Sequence, residues 1–183
     1  DASKFGTSLA AAPEALRSGA GMGGLQVDGV HAHVGSQLLD PAPYLRTLDT
    51  LVDLVARVHA ETGLVTRTLD ITRDSDIATA AAACRDVNVL INNAGINRQQ
   101  GLISAPSLDD AKAEMTSNYF GTLAMCRAFA PVLKANGGGA ITNVLSILAK
   151  VTLPAMGSLC ASKAAGLRMT EGVRAELAAI DEA

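Results

Sequence analysis

Apolar residues fall into short runs separated by longer stretches with helical spacing. Leu25 to Val34 sets Val27, Val30, Ala32 and Val34 at small or apolar positions beside a glycine-rich boundary, which predicts a strand. Ser3 to Gly6 predicts a short strand before it, and Leu64 to Leu69 a third. Val87 to Ile91 is apolar but for Asn88, close to the pattern of a strand covered on both faces. Ala140 to Leu145 is the fifth. Helical patterns fill the intervals. Ala10 to Ser18 carries Pro13 in its first turn, where a missing N–H costs little. From Asp40 and Pro41 a helix runs to Gly63, with Leu45, Leu48, Val52, Val55 and His59 at three- and four-residue spacing and a core stripe from Leu45 to Val58. Asp74 to Arg85 is an Ala-rich helix. Leu108 to Ala135 reads as a long helix, or two merged around Thr116, broken by Gly137-Gly138-Gly139. Met156 to Ile180 is the last.

Five repeats of strand then helix predict an α/β fold. The expected architecture is three-layer and Rossmann-like, with a parallel five-stranded sheet and right-handed crossovers. At 183 residues and 49% hydrophobic, the chain suits one domain, 1–183, with a sizeable core. A net charge of -3 and a pI near 5.5 argue against nucleic acid, which calls for a basic face. No apolar run is long enough to cross a bilayer. No secretory signal pattern opens the chain, and the absence of an initiator Met suggests trimming or incomplete coverage. Cys84, Cys126 and Cys160 have no metal-ligand spacing and read as reduced, mostly buried thiols in a cytoplasmic setting.

Polar clusters end the apolar runs in the second two-thirds. They are Asp70-Ile71-Thr72, then Asn92-Asn93-Ala94-Gly95, Asn118, Asn143-Val144-Leu145-Ser146 and Cys160-Ala161-Ser162-Lys163. In that order and spacing, residues from about Leu64 to Ala179 resemble the short-chain dehydrogenase/reductase family. The resemblance implies that Asp70 contacts adenine and that Asn92, Ala94 and Gly95 line the cofactor cleft. It implies that Asn118 holds a water in a proton relay and that Ser146 hydrogen-bonds a substrate carbonyl. It implies that Lys163 binds the nicotinamide ribose and lowers the pKa of a catalytic tyrosine. That tyrosine belongs four residues before Lys163, where Leu159 stands. Leucine has no proton to give, and neither Ser158 nor Cys160, on other helix faces, is an obvious substitute. The family's opening glycine-rich turn, which seats a pyrophosphate at a helix N-terminus, has no counterpart in Gly6-Thr7-Ser8-Leu9. The family also continues into two more strands and a substrate loop.

The first third resembles a different family. Ser3-Lys4-Phe5-Gly6 and Val27-Asp28-Gly29-Val30-His31-Ala32-His33-Val34-Gly35-Ser36-Gln37 are similar to diaminopimelate decarboxylase, a pyridoxal-phosphate enzyme on a (β/α)8 barrel. The resemblance implies that His33 stacks on the pyridine ring and that Gly35 and Ser36 help hold its phosphate. The motif lysine and the rest of that site have no counterpart, and Lys4 is not that lysine. The mosaic suggests an engineered chimera, suited to recombinant expression, with a seam near Gly63–Leu64. The barrel-derived βαβα piece, 1–63, would supply central strands to the dehydrogenase-derived piece, 64–183, in the order 3-2-1-4-5.

Each candidate also has a plainer reading. Asp70 reads equally as a cap on the following turn. Asn92 and Asn93 read as satisfying backbone groups at the strand end. Asn118, Ser146 and Lys163 read as vestigial, with Lys163 contacting Asn118, a backbone carbonyl or solvent. The Gly35-Ser36 turn reads as a general anion cradle. The expectation is a Rossmann-like scaffold without efficient catalysis. The alternatives are a weak NAD(P)-binding oxidoreductase and a phosphate or pyridoxal-phosphate binder. No cofactor is expected, weak NAD(P) binding being the alternative, and no metal is expected. The expected partners include neither nucleic acid nor membrane. A homodimer through helices 108–135 and 156–180 is expected from the resemblance, and the fifth strand would leave an open edge.

Overall fold

The computed structural model describes residues 69–181, together with 11, 14, 15, 17, 18, 53, 54, 56, 57, 59 and 60. The chain divides into two compact units, Asp1–Thr68 and Leu69–Ala183. In the first, Glu14, Ala15, Arg17 and Ser18 are helical, as are Asp53, Leu54, Ala56, Arg57, His59 and Ala60. Leu54 is buried, whereas His59, which the spacing placed on the apolar stripe, is exposed. The expected first two strands, the third up to Thr68, and His33, Gly35 and Ser36 lie outside the described residues.

The second unit begins with a turn at Asp70 and helix α1, Asp74–Ala83. Asp74 and Asp76 in its first turn favour the helix dipole. Strand β1 is Val89–Asn92. Then come α2 (Asp109–Met115), a π-helical segment (Thr116–Gly121) and α3 (Thr122–Ala135), end to end. The expected division near Thr116 is therefore a change of winding and not a break. Strand β2 is Ala140–Asn143. Two 3₁₀ turns, Ile147–Ala149 and Pro154–Met156, lead into α4, Gly157–Asp181.

The end of α3 sets the sheet register. Gly137 and Gly138 have φ of 84° and 105°, the left-handed region open to glycine. Their N–H groups close the helix by bonding Lys134 O at 3.2 Å and Leu133 O at 3.0 Å. Asn136 Nδ2 donates to Arg85 O and Val87 O, both at 2.8 Å, and so ties the helix end to the approach of β1. A Cβ on Gly139 would collide with Asn88 O. Ala140 N then donates to Asn88 O, and β2 runs parallel to β1 from Val89↔Ala140 to Asn92↔Asn143. These are the expected fourth and fifth strands, adjacent as expected. The full order 3-2-1-4-5 involves residues outside the described set.

One face of this pair is packed. Leu90, Ile77, Met125 and Phe129 form the core, with Ile141, Ala80, Val132 and Leu69 against them. The other face carries Val89 and Ile91 at 52% and 63% exposure. That face is exposed among the described residues, and the expected cover on both faces rests on residues outside them. An apolar run shows which side chains tolerate burial, and the covering layer is a separate matter.

Candidate functional site

Of the polar residues singled out by sequence, Asn92, Asn118, Ser146 and Lys163 gather around the C-terminal ends of β1 and β2. Asn118 lies in the π segment, 4% exposed. Its Oδ1 accepts from Ile96 N at 2.8 Å, and its Nδ2 donates to Ile96 O and to Ser162 Oγ, both at 2.9 Å. Ser162 Oγ in turn donates to Leu159 O at 2.8 Å. Three bonds of the Asn118 side chain thus join the loop after β1 to the first turns of α4, using both amide protons and one Oδ1 lone pair. The wider π turn shifts the backbone carbonyl pattern, a winding often found at functional sites. The Asn118 carbonyl accepts from Thr122 Oγ1 at 3.1 Å.

Gly95 sits against this asparagine. A Cβ there would lie 2.9 Å from Asn118 Oδ1 and 3.5 Å from Lys163 Nζ. The bare backbone is what lets these three positions meet. Lys163 is half-buried, and its Nζ donates to Val144 O at 3.3 Å. A backbone carbonyl is thus the partner observed, among the three expected. Burial pushes its ammonium below the usual lysine range. Between that lowered value and 10.5 the unfolded chain binds more protons than the folded one. The burial penalty is in force below the folded value and fades as pH rises to 10.5. Stability relative to Lys163→Met should therefore rise with pH in that window. Urea midpoints of the two proteins across pH measure it, and a pH-independent difference would refute it.

Ser146 Oγ accepts from Leu148 N at 3.2 Å and caps the first 3₁₀ turn. That bond uses a lone pair and leaves the hydroxyl proton for another partner. Asp70 does what its plainer reading predicted. Its Oδ1 accepts from Thr72 N at 2.9 Å and Thr72 Oγ1 at 2.7 Å, and Arg73 Nε lies 3.3 Å from Oδ2. The Thr72 bonds, helped by Arg73, hold its carboxyl below the usual range. The carboxylate remains 43% exposed, so the cap does not close it off.

Asn92 corrects its plainer reading. Its amide serves side chains and not backbone groups, donating to Asn143 Oδ1 at 2.8 Å and Cys126 Sγ at 3.4 Å. Asn143 Nδ2 donates in turn to Thr170 Oγ1 at 2.9 Å, linking both strands to α3 and α4. Asn93 and Ala94 are exposed beside it. Burial pushes the Cys126 thiol up, against the opposing bonds from Asn143 and Asn92. Cys160 is buried as well, and Cys84 is only half-buried. A thiol reagent should accordingly label Cys84 first, with Cys126 and Cys160 reacting on denaturation. Mass mapping of the native reaction tests this, and early label on Cys126 would contradict it.

Leu159 is 7% exposed. It stands one turn before Lys163 on the same face of α4. Sequence reasoning overlooked Cys126, Thr170 and Glu114 as members of the site's frame. Glu114 had a readable cue, four residues before Asn118 and hence on the same helical face. Among the described residues, no group of acidic, histidine and cysteine side chains could hold a metal ion, and no helix is long and apolar enough to cross a membrane.

A parallel strand pair with asparagine, serine and lysine at its C-terminal end, backed by helices, defines the Rossmann-like α/β class of dinucleotide-type folds. The chain belongs to the short chain dehydrogenase family, whose model matches residues 39–181. Residues 1–72 match a second model, the pyridoxal binding domain of pyridoxal-dependent decarboxylases. The two matches overlap across 39–72, and the seam expected near Gly63–Leu64 lies inside that overlap. A short-chain dehydrogenase of Talaromyces islandicus is 38% identical over 92 residues, 50% of this chain and 32% of that protein. A diaminopimelate decarboxylase of Methanothermobacter thermautotrophicus is 44% identical over 62 residues, 34% of this chain and 14% of that protein. A solved short chain dehydrogenase of Burkholderia cenocepacia, in complex with NADP, is 60% identical with a TM-score of 0.61, covering 63% of this chain and 48% of its own. The chain thus spans about half or less of the length of these relatives.

Proposed function

We propose that the chain is a chimeric Rossmann-like scaffold whose dehydrogenase-derived part keeps a weak NAD(P) cleft and catalyses carbonyl reduction inefficiently. The convergence of Gly95, Asn118 and Lys163, with leucine where the acid belongs, carries this reading. The residues fit a dinucleotide on the nicotinamide side. Gly95 has no Cβ to obstruct the cleft, and Lys163 is held half-buried at its edge. Asp70 offers an exposed carboxylate oriented by Thr72. The bound nicotinamide would supply hydride chemistry. The chain supplies position: Lys163 for the nicotinamide ribose and Ser146 for a carbonyl oxygen, with Asp70 for the adenine at the far end.

What weakens binding is the diphosphate seat. The stretch where the glycine-rich turn is expected matches the pyridoxal binding domain instead. Backbone N–H groups aimed at phosphate supply much of a dinucleotide's affinity, and their loss favours a high dissociation constant. Titration of NADPH, followed by its fluorescence, tests the proposal. A saturable change with a dissociation constant above about 10 μM is expected, weaker than about -7 kcal/mol. No saturable change at millimolar cofactor would reject it.

A further inference from the structure

Glu114 is 0% exposed, the most deeply buried charged-type residue among those described. Its Oε1 accepts from Arg98 N at 2.6 Å, while its Oε2 is buried with no hydrogen-bond partner. Taking a carboxyl group out of water is costly unless its oxygens are satisfied. An apolar residue of similar volume would fill the same space at lower cost. A half-satisfied carboxyl group on a helix packed against α4 therefore calls for an explanation.

The explanation lies in what it grips. Asn118, one helical turn on, holds Ile96 by both its N–H and its carbonyl. Glu114 holds the N–H of Arg98, two residues further along the same loop. The outer side of that loop is tied by Arg98 Nε to Asp110 Oδ1 at 3.6 Å, and Asn97 Oδ1 accepts from Gln99 N at 2.9 Å. Two rungs from one helix face thus fasten residues 96–98 as they leave β1. Gly95 is the residue just before the first rung, and a Cβ on it would lie 2.9 Å from Asn118 Oδ1 and 3.5 Å from Lys163 Nζ. A loop held only at Ile96 would be free to pivot there.

We infer that Glu114 is a positioning residue of the cleft: together with Asn118 it clamps residues 96–98 and thereby fixes Gly95 against Lys163. It acts through the loop and touches neither cofactor nor substrate. Its consequence for NAD(P) rests on the function proposed above, whereas the clamp itself does not.

The test compares the full chain with Glu114→Ala, Glu114→Asp and Glu114→Gln. Amide hydrogen exchange is read over residues 93–99 and over β1 and α1, alongside NADPH titration. Alanine removes the acceptor, and aspartate falls one methylene short of Arg98 N. Either should speed exchange at 96–98 by about tenfold or more, the size of one lost hydrogen bond, with β1 and α1 unchanged. Glutamine keeps the Oε1 acceptor and should restore slow exchange. NADPH affinity should fall severalfold for alanine and aspartate and recover with glutamine. Unchanged exchange at 96–98, or a uniform rise across β1 and α1, would overturn the clamp. If the alanine variant does not fold, the aspartate and glutamine pair decides. If the unmodified chain binds no NADPH, the cofactor reading falls while the exchange still decides the clamp.

Discussion

Replacing Leu159 with tyrosine is expected to raise NADPH-dependent carbonyl reduction by about 10²- to 10⁴-fold, the usual contribution of a positioned general acid. The geometry around position 159 favours this. Lys163 lies one turn further along α4, so a phenol at 159 would stand on the same helix face as the ammonium. A nearby cation favours phenolate and lowers the phenol pKa toward the working range. Asn118 and Ser162 already fix the first turns of α4 through bonds of 2.9 and 2.8 Å, so the new hydroxyl would arrive on a preorganised helix. Leu159 is buried, and a larger side chain there costs about 1–3 kcal/mol if the surroundings resist. Stability must therefore be measured beside activity. The double variant with Lys163→Met should lose most of the gain. A Leu159→Tyr protein that folds and binds NADPH, yet reduces no faster than its parent, would show that the missing acid is not what limits this site.

Much of this site was legible because its chemistry is tied to the ends of apolar runs. Val87 to Ile91 and Ala140 to Leu145 located the two strands that pair, and the residues after them carry Gly95 and Ser146. The triple glycine marked the end of α3 because left-handed φ angles and a close approach to Asn88 leave few alternatives. What escaped was long-range and side chain to side chain. Asn92 and Asn143 are 51 positions apart, and nothing local says that their amides meet. The spacing of Glu114 from Asn118 was readable but its burial was not, because charge in a sequence gives no measure of burial. The π winding at Thr116–Gly121 left only a hint, a helix too long to be simple. The exposed face of Val89 and Ile91 was unreadable in principle, since a strand's apolarity does not name the layer that would cover it.

Removing the Asn118 side chain should cause the largest loss of stability among these substitutions. Asn118→Ala would strand Ile96 N, Ile96 O and Ser162 Oγ at once, each partly or wholly buried. A buried polar group left without a partner costs about 1–3 kcal/mol. Ser162 Oγ keeps its bond to Leu159 O, and water entering the space would offset part of the rest. A net loss of about 3 kcal/mol is the expected result, near the upper range for single substitutions. For a second unit of this size that is a large share of the total, since whole domains are held by only about 5–15 kcal/mol. Asn118→Asp separates the causes. It keeps an acceptor for Ile96 N but offers no amide protons to Ile96 O and Ser162 Oγ, so it should destabilise nearly as much as alanine. Gly95→Ala attacks the same contact from the other side, placing a methyl 2.9 Å from Asn118 Oδ1. Because the two substitutions disturb one junction, their combined cost should fall short of the sum. Denaturant titrations of the singles and the double measure that coupling. Additive losses would mean that the loop and the asparagine hold their places independently, and the cleft would then have no single point of assembly.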